Sequence, residues 1–184
     1  DLRIRTYSGP LHPGNDIISL TELISIEIDQ GTEYAVTQIA DLDVDSEGNI
    51  YLLDFDSKII KFDSSGHFIS VLGRLGQGPK ELNNSASLSI HNDTLYIYER
   101  HSGIKIWNTD GEYIDYILPE VRDNAALFTK TDQGLYSSGE DYTGQYEVKF
   151  EVISLNEDLK IDTVLAEIYL DRRSKGYFSA KQYI

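Results

Sequence analysis

An all-β chain built of repeated four-stranded units is what this sequence predicts, and three observations carry the prediction. A stretch of about 45 residues occurs twice in succession, and a looser third copy follows. Within each copy, short runs alternate apolar and polar side chains with the period of a strand. The aromatic content, 13 Tyr, 6 Phe and 1 Trp, favours pleated structure, and no stretch longer than a few residues keeps helical apolar spacing.

The elements follow in order. Residues 1–19 form an N-terminal arm. Ile24, Ile26 and Ile28 alternate, which makes Leu20–Ile28 a strand that pairs away from its sequential neighbours. The first unit, 39–82, divides into strands Ile39–Asp45, Asn49–Asp54, Ile59–Asp63 and Phe68–Leu72. Leu42 and Val44 point to one face, and Asp41, Asp43 and Asp45 to the other. Ser46-Glu47-Gly48-Asn49 and Ser64-Ser65-Gly66-His67 carry the Gly and Ser chemistry of tight turns. The second unit, 84–122, repeats the first: Tyr51 answers Tyr96, Phe62 answers Trp107, Gly66 answers Gly111 and Phe68 answers Tyr113. The third unit, 124–166, begins its matching stretch at Gly134-Leu135-Tyr136 and carries an insertion around Glu140–Gln145. In the remainder, 167–184, the run Tyr177–Ile184 stands where the inner strand of a fourth unit begins.

Four strands per repeat of this length describe a β-propeller blade, whose two faces are buried by neighbouring blades. A β-sandwich with evenly spaced hairpins is the alternative. Gly48-Asn49-Ile50-Tyr51, the turn Phe62-Asp63-Ser64-Ser65-Gly66 and above all Leu72-Gly73-Arg74-Leu75-Gly76-Gln77-Gly78-Pro79-Lys80-Glu81-Leu82 resemble NHL-type repeats. More narrowly, they are similar to the six-bladed propellers secreted or lipid-anchored by gut Bacteroidetes. In Ile24-Ser25-Ile26-Glu27, Ser25 and Ile26 replace the Pro and Leu usual there. The resemblance spans about residues 20–165 and implies a six-bladed ring with a periplasmic, cell-surface or extracellular location. It implies little chemistry. Six blades need about 250–300 residues, so about three are present here. A piece of a longer protein, or two chains pairing into one ring, is expected.

Charge and composition remove several functions. A net charge of −15 repels nucleic acid and anionic lipid. The absence of Cys excludes disulfides, thiolate metal sites and cysteine nucleophiles. No apolar run reaches the length of a membrane span. Met is absent even at position 1, so the chain is expected to have been processed or cut.

The sharpest chemical motif is Asp43–Asp54. It nearly matches the EF-hand calcium loop, with Asp43, Asp45 and Glu47 at the first alternate positions, Gly48 next and Asp54 closing it. The repeat explains the same residues as a β-hairpin with acids on a solvated edge. The acids do not recur in the second copy, where Ser89, His91 and Asp93 stand. No cofactor is expected apart from this calcium reading. Gly73, Gly76 and Gly78 suggest a phosphate cradle but meet neither nucleotide motif, and an inter-blade loop needing positive φ explains them better. Arg74 and Gln77 on that loop are the candidate binding residues. His12, His67, His91 and His101 form no ligand pair, and no serine lies in a nucleophile elbow. Trp107 reads as core, and Asp171-Arg172-Arg173-Ser174-Lys175 as a solvated loop.

Two classes of function remain, beside the reading that the chain is one part of a larger sensor or surface protein and has no function alone. One is a non-enzymatic binding or scaffold module for a protein, peptide or glycan. The other is a lactonase- or lyase-like propeller enzyme with a metal in its central channel. The channel-strand positions are Asp41, Asp43 and Asp45 in the first unit but Ser85, Ser87 and Ser89 in the second, which argues against a symmetric ring of metal ligands.

Overall fold

A computed structural model of the chain describes residues 24–28, 31–100, 102–118, 125–142, 147–156, 160–171 and 178–182. Its described residues form strands, turns and loops, with no helix. The first sheet is β1 (Ile39–Val44), β2 (Ile50–Asp54), β3 (Lys58–Phe62) and β4 (Phe68–Leu72), antiparallel and in chain order. The second repeats this with β5 (Ser85–His91), β6 (Thr94–Glu99), β7 (Gly103–Asn108) and β8 (Tyr113–Ile117). Strand limits in the first sheet fall within a residue of those the alternation predicts.

The third sheet departs from expectation twice. Its strands are β9 (Ala125–Thr131), β10 (Gly134–Tyr142), β11 (Glu147–Leu155), β12 (Ile161–Asp171) and β13 (Phe178–Gln182). The insertion around Glu140–Gln145 is absorbed by lengthening β10 and β11, whose pairing runs from Leu135–Leu155 out to Tyr142–Val148. The run expected to open a fourth unit supplies β13 instead, paired to β12 as a fifth strand. β12 is long enough to offer a second ladder, and β13 takes it.

A recurring five-residue turn explains why the hairpins form where they do. In Asp45–Asn49, Asp63–His67 and Asn108–Glu112, the first residue's Oδ1 accepts from the N–H groups two and four residues on. The backbone closes the same ring each time, and the fourth residue is Gly48, Gly66 or Gly111 at φ of 84°, 85° and 79°. An L side chain is disfavoured there, so Asx-x-x-Gly writes the turn into the sequence. The β5–β6 hairpin turns on Asn92-Asp93 alone, both left-handed, and so is one residue shorter than its counterpart. Asp43 faces Tyr51 while Ser89 faces Tyr96, so the inner strands sit one residue out of step with the rest of the repeat.

The sheets stack in series. Tyr51, Leu53, Ile59 and Leu72 of the first close on Leu88, Leu95, Ile97 and Trp107 of the second, with Leu82 from the connection between them. Ala86, Tyr98 and Ile104 then meet Phe128, Leu135, Ile153 and Leu155 of the third. The face of sheet one turned away from this stack is partly covered by the chain's own Ile26, Ile28, Tyr34 and Val36, laid over Leu52, Ile60 and Phe62. The expected strand Leu20–Ile28 is therefore corrected for its described part: Ile24–Ile28 joins no sheet and packs on a sheet face. Residues 20–23 lie outside the described residues. In β1 the acids expected on a solvated edge turn inward instead, and Leu42 and Val44 turn outward. These side chains are 55% and 44% exposed, while Asp41 and Asp43 turn toward sheet two.

Candidate functional site

The connection from β4 to β5 is the most elaborated loop of the described chain. Glu81 organises it. Its Oε2 accepts from the N–H groups of Gln77 at 3.0 Å and Gly78 at 2.9 Å, and its Oε1 takes Arg74 Nε at 3.0 Å and the Arg74 guanidinium at 2.8 Å. The loop is closed by Gly76 N–H to Leu82 O and Leu82 N–H to Arg74 O. Glycine spacing here does create an anion-binding concavity, and the chain's own carboxylate fills it.

The glycines serve this arrangement in a way that corrects the expectation of positive φ at all three. Only Gly73 is left-handed, at φ 72°, and a Cβ there would also lie 2.7 Å from the Trp107 ring. At Gly76 the requirement is space, because a Cβ would stand 2.1 Å from Glu81 Oε2.

Beneath the loop lies a cavity of about 470 Å³. Gly76–Pro79 and Asn83 form one wall, Ser102 and the buried pair Glu99–Lys105 the floor, and Tyr113 and Tyr116 of β8 the other wall. Lys105 Nζ lies 3.2 Å from Glu99 Oε1, with both side chains below 10% exposure. It also donates to Gly78 O at 3.3 Å and to Glu81 O. Glu99 in turn accepts the Asn83 N–H at 2.6 Å. This pair is thus a clasp that fixes the loop to β6 and β7. Sheet one has the same device: Asp54, fully buried, accepts the N–H groups of Thr37 and Gln38 at 3.1 Å, and Lys58 bridges it to Ala35 O. Sequence reasoning passed over Glu99 and Lys105. The available signal was an acid recurring as the last residue of the second strand in both copies.

Every charge around the cavity is therefore answered from within. The side-chain amides of Gln77 and Asn83 and the Tyr113 hydroxyl have no internal partner among the described residues. Tyr116 donates its hydroxyl to Ser102 O, and burial, then the Glu99 charge, raises its pKa. The candidate binding residues Arg74 and Gln77 part company: Arg74 is held by Glu81, and Gln77 lies at the cavity mouth.

The four residues of the calcium reading are not brought together. Asp43 Oδ2 accepts the Ile90 N–H at 2.7 Å, across the sheet boundary. Asp45 is the turn anchor and also takes Asn49 Nδ2 at 2.8 Å and the Tyr51 hydroxyl at 2.9 Å. Glu47 is exposed, and Asp54 is the clasp at the far end of β2. Among the described residues no group of three or more His, Cys, Asp or Glu converges as a metal site. His67 pairs with Asp63 and His91 with Asp132, at 3.2 and 3.3 Å. His12, His101 and residues 172–175 lie outside the described residues.

Three carboxylates in these motifs sit below their ordinary pKa. Burial raises that of Asp45, but the bonds from Asn49, Tyr51 and Glu47 outweigh it. Asp63 is lowered by the His67 N–H and Glu81 by the Gly78 N–H with Arg74. A carboxylate with a depressed folded-state pKa contributes stability above its unfolded value and loses it as pH falls through the folded value. The melting temperature is therefore expected to drop as pH falls below about 4, followed by circular dichroism. Asp45→Ala should cost about 1–2 kcal/mol at neutral pH and shrink that acid loss. Asp45→Asn should cost less, since Asn108 anchors the same turn.

No protein-family model and no curated protein sequence matches the chain. Solved structures do. It is similar to U3-55K, at 19% identity over 71% of this chain and 45% of that one, with a TM-score of 0.50. It is similar to the WD40 repeats of RRP9, at 18% identity over 71% and 44%, again with a TM-score of 0.50. The chain spans less than half the length of each. No described helix is long and apolar enough to cross a membrane. Three antiparallel sheets stacked face to face in series, with WD40 propellers as structural neighbours, make this chain a portion of a β-propeller.

Proposed function

We propose that the chain is a non-enzymatic binding or scaffold module, and that it holds an extended peptide segment of a partner protein at the cavity of blade two. One observation carries this. The charged side chains of the cavity are neutralised internally, so the groups left for a ligand are neutral amides, a phenol and two aromatic rings. Such a surface suits the alternating amides of a peptide, with the rings supplying rigid contact area. The cavity wall β8 is also the outer edge of its sheet, with Ile114 and Leu118 exposed, so a peptide can run along it and pair with its backbone.

A panel of displayed extended peptides tests this beside a glycan array. Selected peptides are expected to bind, and Tyr113→Ala or Gln77→Ala to weaken them about tenfold with the melting temperature little changed. Binding to glycans alone would replace the peptide reading with a glycan one. The NHL-type, six-bladed ring and a periplasmic or cell-surface location rest on the Gly73–Leu82 resemblance. Fractionation of the native host's envelope checks the location.

A further inference from the structure

We infer that the cavity of blade two takes an arginine side chain, whose guanidinium donates to the free oxygen of Glu99 at the cavity floor. The inference rests on the reading of this cavity as a peptide site and names the residue that anchors the peptide there.

The two clasps differ in what they leave over. In blade one both oxygens of Asp54 are occupied. Oδ1 accepts the Gln38 N–H and Oδ2 the Thr37 N–H, each at 3.1 Å, and Lys58 stands 3.7 Å from Oδ2. Glu99 holds the same place in blade two, as the last residue of the second strand. Its two partners, the Asn83 N–H at 2.6 Å and Lys105 at 3.2 Å, both meet Oε1. Oε2 accepts no hydrogen bond among the described residues. The side chain is 4% exposed, yet Oε2 is not sealed inside the protein: among the described residues, the enclosed side-chain atoms without a partner are Ser85 Oγ and Trp107 Nε1. Glu99 lines the cavity, so that is where Oε2 is open. The charge of the pair is balanced and its hydrogen bonding is not, and a carboxylate oxygen held this deep calls for a donor.

Three features select a guanidinium as that donor. The first is the number of acceptors. Beside Oε2 the cavity offers the side-chain oxygens of Gln77, Asn83 and Ser102, none with an internal partner among the described residues. A guanidinium carries five N–H groups in one plane and can serve several acceptors at once, where an ammonium has three. The second is the wall formed by Tyr113 and Tyr116, whose rings suit the flat face of a guanidinium. The third is the sign of the field. The chain carries −15, which draws cations toward it. Burial first, and then the Glu99 charge, raise the pKa of Tyr116, so the negative end of the clasp is the one felt at this wall. Lys105 does not compete for Oε2, because Glu99 Oε1, Gly78 O and Glu81 O take its hydrogens.

Amide chemical shifts of the chain, titrated with N-acetylarginine methylamide and with its uncharged isostere N-acetylcitrulline methylamide, test this. The arginine compound is expected to give saturable shifts at Gln77, Gly78, Asn83 and Ser102, with an affinity about tenfold above that of the citrulline compound and falling as salt is raised. Glu99→Gln turns the free acceptor into an amide and keeps an acceptor for the Asn83 N–H. It should lower the affinity for the arginine compound about tenfold and leave that for citrulline little changed. Tyr113→Leu keeps apolar area but removes a ring, and should weaken the arginine compound about two- to fivefold. Circular dichroism establishes that each variant is folded. An arginine compound that shifts none of these amides, binds no better than citrulline, or is indifferent to both variants overturns the inference. Selected peptides that depend on Tyr113 and show no preference for arginine overturn it as well, and leave the peptide reading standing. Arginine binding that meets every expectation while no peptide binds supports the inference and removes the peptide reading instead.

Discussion

Trp107→Ala is expected to lower the free energy of unfolding by about 3–5 kcal/mol, a large share of the roughly 5–15 kcal/mol that holds a domain folded. Trp107 is fully buried between the first two blades, among Leu72, Leu82 and Leu95, with its ring against the backbone of Gly73. Truncation leaves a void that Gly73 cannot fill, since its backbone is already fixed by the Glu81 loop. Urea denaturation followed by far-ultraviolet circular dichroism measures the loss, because the variant lacks the only Trp and its fluorescence. Trp107→Phe separates volume from chemistry. The Trp107 indole N–H is buried with no partner among the described residues, so Phe removes an unpaired donor along with some volume. Phe already serves this position in blade one, as Phe62, and the cost of Trp107→Phe should stay below about 1.5 kcal/mol.

Lys105→Met should cost about as much, roughly 3–5 kcal/mol, through electrostatics and hydrogen bonding instead of volume. The substitution strands Glu99 in a buried site with one backbone N–H as partner, and it takes the Lys105 bond from the Glu81 carbonyl, while Gly78 O keeps the Glu81 N–H at 3.0 Å. Glu99→Gln should cost less, because its amide oxygen can still accept the Asn83 N–H. The double variant Lys105→Met/Glu99→Met should recover part of the loss, since it removes the unpaired charge but not the unpaired backbone groups. The clasp also holds the Gly76–Pro79 wall, so hydrogen exchange at Gln77 and Gly78 should rise in Lys105→Met while exchange in β1–β3 changes little. Equal stability of Lys105→Met and the parent would show that the clasp is not what anchors the loop.

Local chemistry made much of this legible in advance. Asx-x-x-Gly turns need only five neighbouring residues, and β4 runs over Phe68–Leu72 as the alternation predicts. Trp107 could be placed in the core by its repeat partner alone. The Asp43–Asp54 motif shows the limit of such reading. Its spacing resembles a calcium loop, yet Asp45 is consumed by its own turn, and Asp43 and Asp54 are drawn to groups that the motif does not contain.

By itself the sequence determined the strands, their turns and the repeated unit, because period-2 alternation and left-handed glycines act over a few residues. Only the tertiary structure decided which face of each strand is covered. Alternation states that Asp41 and Leu42 point opposite ways; whether the acids or the leucine faces the core depends on the N–H groups of β5, some 47 residues on. Shorter separations also hid partners: the Glu81 carboxylate turns into its own loop three to seven residues back, the Glu99–Lys105 clasp reaches Asn83, Glu81 and Gly78, 16 to 27 residues back, and β13 returns to the strand just before it, and no periodicity marks any of these contacts. Each of these is settled by a hydrogen-bonding group that must be satisfied once buried, and the group that satisfies it is a neighbour in space before it is one in sequence.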